Sequence, residues 1–98
     1  MNMNGYETMT TFWNDFSIAD KFGISAVEDT FNRAFNEWKV NYQYLTELVL
    51  VLNWKIWQHH GENEPLAKVY NELWIKADEY AQSNLHDDEL EYFYEVTD

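Results

Sequence analysis

Residues 42–60 read YQYLTELVLVLNWKIWQHH, and the spacing of their apolar side chains decides the fold. Leu45, Leu48, Val49, Leu52 and Ile56 recur at intervals of three and four, which on a helix gathers them into one stripe about 100° wide. The run Leu48–Leu52 contains β-branched residues and invites a strand. The apolar pattern nevertheless continues much further than a strand of about 4–8 residues would, with no turn signal inside it. Residues 42–60 therefore read as a helix, stopped by Gly61.

Working outward, Gly61 to Glu64 form a short bridge to Pro65, which suits the first turn of a helix. Leu66, Val69, Tyr70, Leu73, Ala77, Tyr80 and Ala81 then mark the apolar face of a helix over residues 65–83, with Lys68, Glu72 and Lys76 outside it. So short a connection predicts an antiparallel helical hairpin. Upstream, Val27, Phe31, Ala34, Phe35 and Trp38 define a helix over about residues 26–39, with Ser25 and Glu28 read as its capping box. Before it, Phe12, Phe16 and Ala19 predict a shorter helix over about residues 11–22, and Gly23 supplies a left-handed stop. Residues 1–10 show little periodicity and read as a frayed lead-in.

The last stretch, HDDELEYFYEVTD over residues 86–98, fits two periods. A helix capped by Asp87 would turn Leu90, Phe93 and Tyr94 inward. A strand would put Leu90, Tyr92, Tyr94 and Val96 on one side and Glu91, Phe93 and Glu95 on the other. Acids at its start favour the helix. The expected architecture is an all-α domain spanning residues 1–98, with four or five helices in a compact bundle around the hairpin of 42–60 and 65–83.

Composition constrains function mainly by exclusion. Five tryptophans, seven tyrosines and six phenylalanines give the chain enough apolar surface for a real core. Area scaling allots it roughly 6,000 Å² of surface when folded. With no cysteine, there is no disulfide, thiolate nucleophile or cysteine metal cluster. The longest apolar run, Leu48–Leu52, is too short to cross a bilayer, and MNMNGYETMT lacks the features of a secretory signal. A cytoplasmic protein is the expectation.

The net charge of −12 opposes binding to nucleic acid or to an anionic membrane. It is uneven: residues 1–76 carry ten acids against six bases, whereas residues 77–98 carry eight acids and no Lys or Arg. That segment reads either as a solubilising surface or as an anionic surface for a basic partner, with Asp87, Asp88, Glu89, Glu91, Glu95 and Asp98 as its carboxylates.

Several motifs fail on inspection. The stretch SIADKFGISAVEDTFNRAF places Ile18, Ala19, Phe22, Gly23 and Ile24 where a helix-turn-helix wants them. Its second helix, however, would have to bury Asp29 and Asn32, and its leading edge carries Glu28 and Asp29, which phosphates repel. His59 and His60 point about 100° apart on a helix and cannot share one ion, and neither they nor His86 belong to a metal-ligand spacing. Gly5, Gly23 and Gly61 form no phosphate loop, and no GxSxG elbow exists. No catalytic residue, cofactor site or metal site is assigned.

One feature survives. Leu50, Trp54 and Trp57 form a row on the back of the central helix, bordered by Thr46, Glu47, Asn53 and Gln58. Either the amino-terminal helix covers this row with Phe12, Trp13 and Phe16, or the row is exposed and marks a partner or self-association surface.

The segments FWNDFSIADKFG, YLTELVLVLNWKIW, VYNELW and ELEYFYEVTD resemble small acidic proteins encoded on conjugative transposons and other mobile elements of Gram-positive gut bacteria. No activity is attached to that group, so no functional residue is carried over. The resemblance implies an accessory role in element maintenance, transfer or defence evasion. Three function classes follow: an accessory protein–protein interaction module, then an acidic inhibitor or DNA mimic set against a basic nuclease surface, then an enzyme or DNA-binding regulator.

Overall fold

Asn41 starts the central helix: its side-chain Oδ1 accepts from the backbone N–H groups of Gln43 at 3.0 Å and Tyr44 at 3.1 Å. Those are two of the donors that a helix start leaves without a partner. The structure is a computed structural model describing residues 5–97, with side chains from residue 8 onward. It is all-helical, with α1 Gly5–Asp20, α2 Ile24–Trp38, α3 Tyr42–His59, α4 Glu64–Asn84 and α5 Asp87–Thr97, and no strand among the described residues.

The hairpin expected at the centre is there. Helices α3 and α4 pack against each other more extensively than any other pair. Asn63 caps α4 by accepting from the Leu66 N–H at 3.3 Å, and Pro65 sits in the first turn, where its missing N–H costs nothing. Leu45, Leu48, Val49 and Leu52 are fully buried, as the stripe required. Phe12, Phe16, Val27, Phe31, Phe35, Tyr70 and Phe93 join them in one continuous core drawn from all five helices. The folded surface is 6012 Å² and the radius of gyration 12.8 Å, close to the ~13 Å of a single compact unit of this length.

Three expectations are corrected and one open alternative is resolved. Helix α1 begins at Gly5 rather than Thr11 and ends at Asp20. Helix α2 begins at Ile24, one residue before Ser25, so the Ser25–Glu28 capping box does not form; Gly23, at φ 109°, occupies the cap position with no side-chain bond. Residues 87–97 are helical, which removes the strand alternative for the last segment. Within α5 only Phe93 is buried, and Tyr94, expected inside, is exposed. Asp87 turns the chain into α5 at φ 49°, a left-handed conformation that aspartate tolerates better than most residues.

Three of the six bases, Lys39, Lys55 and Lys76, stand over aromatic rings, and two of them share one. The ammonium groups of Lys39 and Lys76 stand 5.4 Å and 5.8 Å from the centre of the Phe35 ring. Among the described residues, no helix is long and apolar enough to cross a membrane.

Candidate functional site

Helix α3 is buried around most of its circumference, because α1, α4 and α5 each take a side of it. That arrangement puts polar residues inside. Lys55, one turn beyond Val51 and Leu52, is 0% exposed. Its ammonium lies 2.6 Å from Asp20 Oδ2 on α1, donates to Ser17 Oγ at 3.2 Å, and sits 4.5 Å above the centre of the Trp13 ring. Asp20 is the hub. Its Oδ2 also meets His59 Nε2 at 2.9 Å, while its Oδ1 accepts the Tyr70 hydroxyl of α4 at 2.5 Å. The Tyr70 ring stacks on His59 with centroids 5.7 Å apart and meets Phe16 edge-on.

This cluster ties α1, α3 and α4 together at one end of the bundle. Burial pushes the Tyr70 hydroxyl far above the ordinary tyrosine range, and the Asp20 hydrogen bond and charge push it the same way. Ser17 and Lys55 have the residue types of a serine–lysine nucleophile pair. The Lys55 ammonium, however, donates to both Ser17 and Asp20 and offers no lone pair to take the serine proton. What the arrangement accomplishes is positional: it holds Trp13 of α1 beside Trp54 of α3.

Met9, Thr10, Trp13 and Trp54 line an almost wholly apolar groove of about 200 Å³ between the two helices. Of the aromatic row, Leu50 is half-buried, Trp54 is 42% exposed and Trp57 is 67% exposed, with its ring edge-on to His60. The amino-terminal helix therefore covers less of the row than its aromatic residues suggested. Phe12 and Phe16 go into the core, and Trp13 alone of the three reaches the Trp54 edge.

The second candidate surface is α5. Asp87, Asp88, Glu91 and Glu95 are exposed and Glu89 is half-exposed, while Asp98 lies outside the described residues. Asp87, Glu91 and Glu95 flank Leu90 and Tyr94 in a shallow depression. On the inner side of the helix, the Tyr92 hydroxyl donates to Glu47 Oε1 at 3.3 Å. Glu47 itself is 4% exposed, and its Oε2 is buried with no hydrogen-bond partner. Burial pushes the Glu47 carboxyl above the usual carboxylate range, and the Tyr92 bond pulls it back in part.

The surfaces of the helix-turn-helix candidate do not pack as that motif requires. Ile18, Phe22 and Ile24, which would form its core, are exposed. Asp29 and Asn32, at the positions it would bury, are exposed as well. No three His, Cys, Asp or Glu side chains among the described residues come together as a metal site.

Sequence reasoning missed the Asp20 cluster, whose members lie on three helices. One signal was present: Lys55 falls inside the apolar arc of α3, where a lysine needs a buried carboxylate. No family model, curated protein or solved structure matches the chain.

Proposed function

We propose that this protein is an accessory protein–protein interaction module of a bacterial mobile element, acting in the cytoplasm, and that it grips its partner through the face of α3 carrying Leu50, Trp54 and Trp57. The observation that carries this reading is the exposure of two tryptophans, 42% and 67%, on a helix half of whose 18 residues are buried. Exposed tryptophans beside an apolar groove are the residues from which interface anchors are made, since each buries a large area with little loss of side-chain freedom. The Asp20 cluster adds rigidity beneath them, which lowers the ordering cost of binding. Mobile-element context comes from the resemblance of its segments, and the charge of −12 favours a basic partner over a second copy of the chain.

A second reading rests on α5. Asp87, Glu91 and Glu95 repeat every four residues along one side of a helix, a spacing of about 6 Å, with no base on that helix. A row of this kind suits an acidic inhibitor or DNA mimic laid against a basic nuclease surface. Salt separates the two readings, because exposed charge is screened within about 8 Å at physiological ionic strength and tryptophan burial is not.

The test compares the parent with Trp54→Ala, Trp57→Ala and a variant with Asp87, Glu91 and Glu95 changed to their amides. Light scattering, thermal melting and capture of the native partner across a salt series are measured for each. Loss of capture in the tryptophan variants, with mass and melting unchanged, supports the first reading; loss of mass instead assigns the row to self-association. Loss confined to the amide variant, with steep salt dependence, replaces the first reading with the second.

A further inference from the structure

Helix α5 is the most lightly held element of the bundle. It is 11 residues long, buries a single side chain, Phe93, and packs chiefly on α3 with only a slight contact to α4. It opens on a left-handed residue, Asp87, after a linker of two residues, Leu85 and His86. It also carries five acids and no base, so nothing on it neutralises a carboxylate beneath.

Such a carboxylate is there. Glu47 projects from α3 into the α3–α5 contact, where Tyr92 supplies its one hydrogen bond and the Tyr42 ring backs Tyr92 edge-on at 5.4 Å. Among the described residues, Tyr92 from α5 is the titratable group bonded to Glu47, and Tyr42 from α3 stands behind Tyr92. Among the described residues, α1, α2 and α4 bring no cation within ion-pair reach of it. A neutral carboxyl tolerates this setting, whereas an ionised one needs donors for both oxygens and has a donor for one.

We propose that α5 is a proton-coupled strap: it lies down on α3 while the Glu47 carboxyl beneath it is neutral, and lifts when that carboxyl ionises and takes up water. Since the docked state holds the Glu47 proton more tightly than the undocked state, docking is strongest below the ordinary glutamate value of about 4.3. It weakens as pH rises through the raised value of the docked form. Lifting α5 would bare Tyr42 and the Glu47 stretch of α3, so the strap regulates access to the part of the central helix that lies two turns before the Trp54 end of the tryptophan row.

The test is amide hydrogen exchange on the full chain from acid to neutral pH, corrected for intrinsic base catalysis, together with carbon-13 titration of the Glu47 carboxyl. Protection of α5 amides is expected to fall about tenfold for each unit by which docking raises the Glu47 titration. Amides in the middle of α3 should stay protected throughout. Glu47→Gln keeps the shape and removes the ionisation, so its α5 protection should be flat over the same range, although the α5 carboxylates still titrate. A Glu47 that titrates in the ordinary range overturns the proposal, and so does an α5 profile in Glu47→Gln that coincides with the parent's. Should Glu47→Gln fail to fold, the parent's paired titration and exchange curves decide alone, and curves that do not track each other refute the strap.

Discussion

Lys55 Nζ lies 2.6 Å from Asp20 Oδ2, and no part of the lysine side chain reaches solvent. Taking both charges out of water is costly, and the pair is tolerated because Ser17, His59 and Tyr70 occupy the remaining hydrogen-bonding directions. Each ion thus depends on the other.

That dependence is measurable by a double-mutant cycle in denaturant. Asp20→Ala should lower stability by about 3–5 kcal/mol, because Lys55 is left as an unpaired buried charge. Lys55→Met added to it should recover much of the loss by removing that charge. Strictly additive effects would show that the two side chains are not coupled.

Leu52 sits in the middle of the buried stripe of α3 with no exposed surface. Leu52→Ala should cost about 2–5 kcal/mol, from lost transfer energy and a cavity that the packed helices cannot close. Equilibrium unfolding checks it, and a variant as stable as the parent would contradict the central placement of α3.

Alkaline pH should act through Tyr70. Burial and Asp20 raise its hydroxyl in the folded state, so the fold holds that proton while the unfolded chain releases it near pH ~10. The stabilisation is complete below that value and is lost as pH rises above it. Absorbance titration of the phenolates should leave Tyr70 protonated until the chain unfolds. Tyr70→Phe should be less stable at neutral pH by about 1–3 kcal/mol, having stripped Asp20 of a donor, yet show a shallower decline in alkali.

Double-stranded DNA should not be retained at physiological salt. Glu28 and Asp29 at the start of α2 face solvent where a recognition helix would present cations. A gel shift with sequence-dependent retention at micromolar protein would restore the regulator reading.

The four most strongly periodic helices were legible because amphipathic periodicity is local: each of Leu45, Leu48, Val49 and Leu52 is placed by its neighbours three and four positions away. Boundaries were less so. Gly23 rather than Ser25 took the α2 cap, since its freedom at positive φ let the helix begin two residues sooner. The last segment matched two periods, and its helical state is accompanied by packing of Phe93 into the core.

By itself, the sequence determined the fold class, the central hairpin and the anionic character of the last segment, all properties of near neighbours or of composition. Only the tertiary structure decided that Lys55 and Glu47 are interior, that Asp20 gathers Lys55, His59 and Tyr70, and that Trp54 and Trp57 remain outside. The reason is geometric. A helix surrounded on several sides buries polar positions according to which neighbours arrive, and Asp20 lies 35 residues from Lys55 and 50 from Tyr70 along the chain. Separations that long leave no trace in a periodicity of 3.6, so the partner of a buried charge becomes known only once the helices have packed.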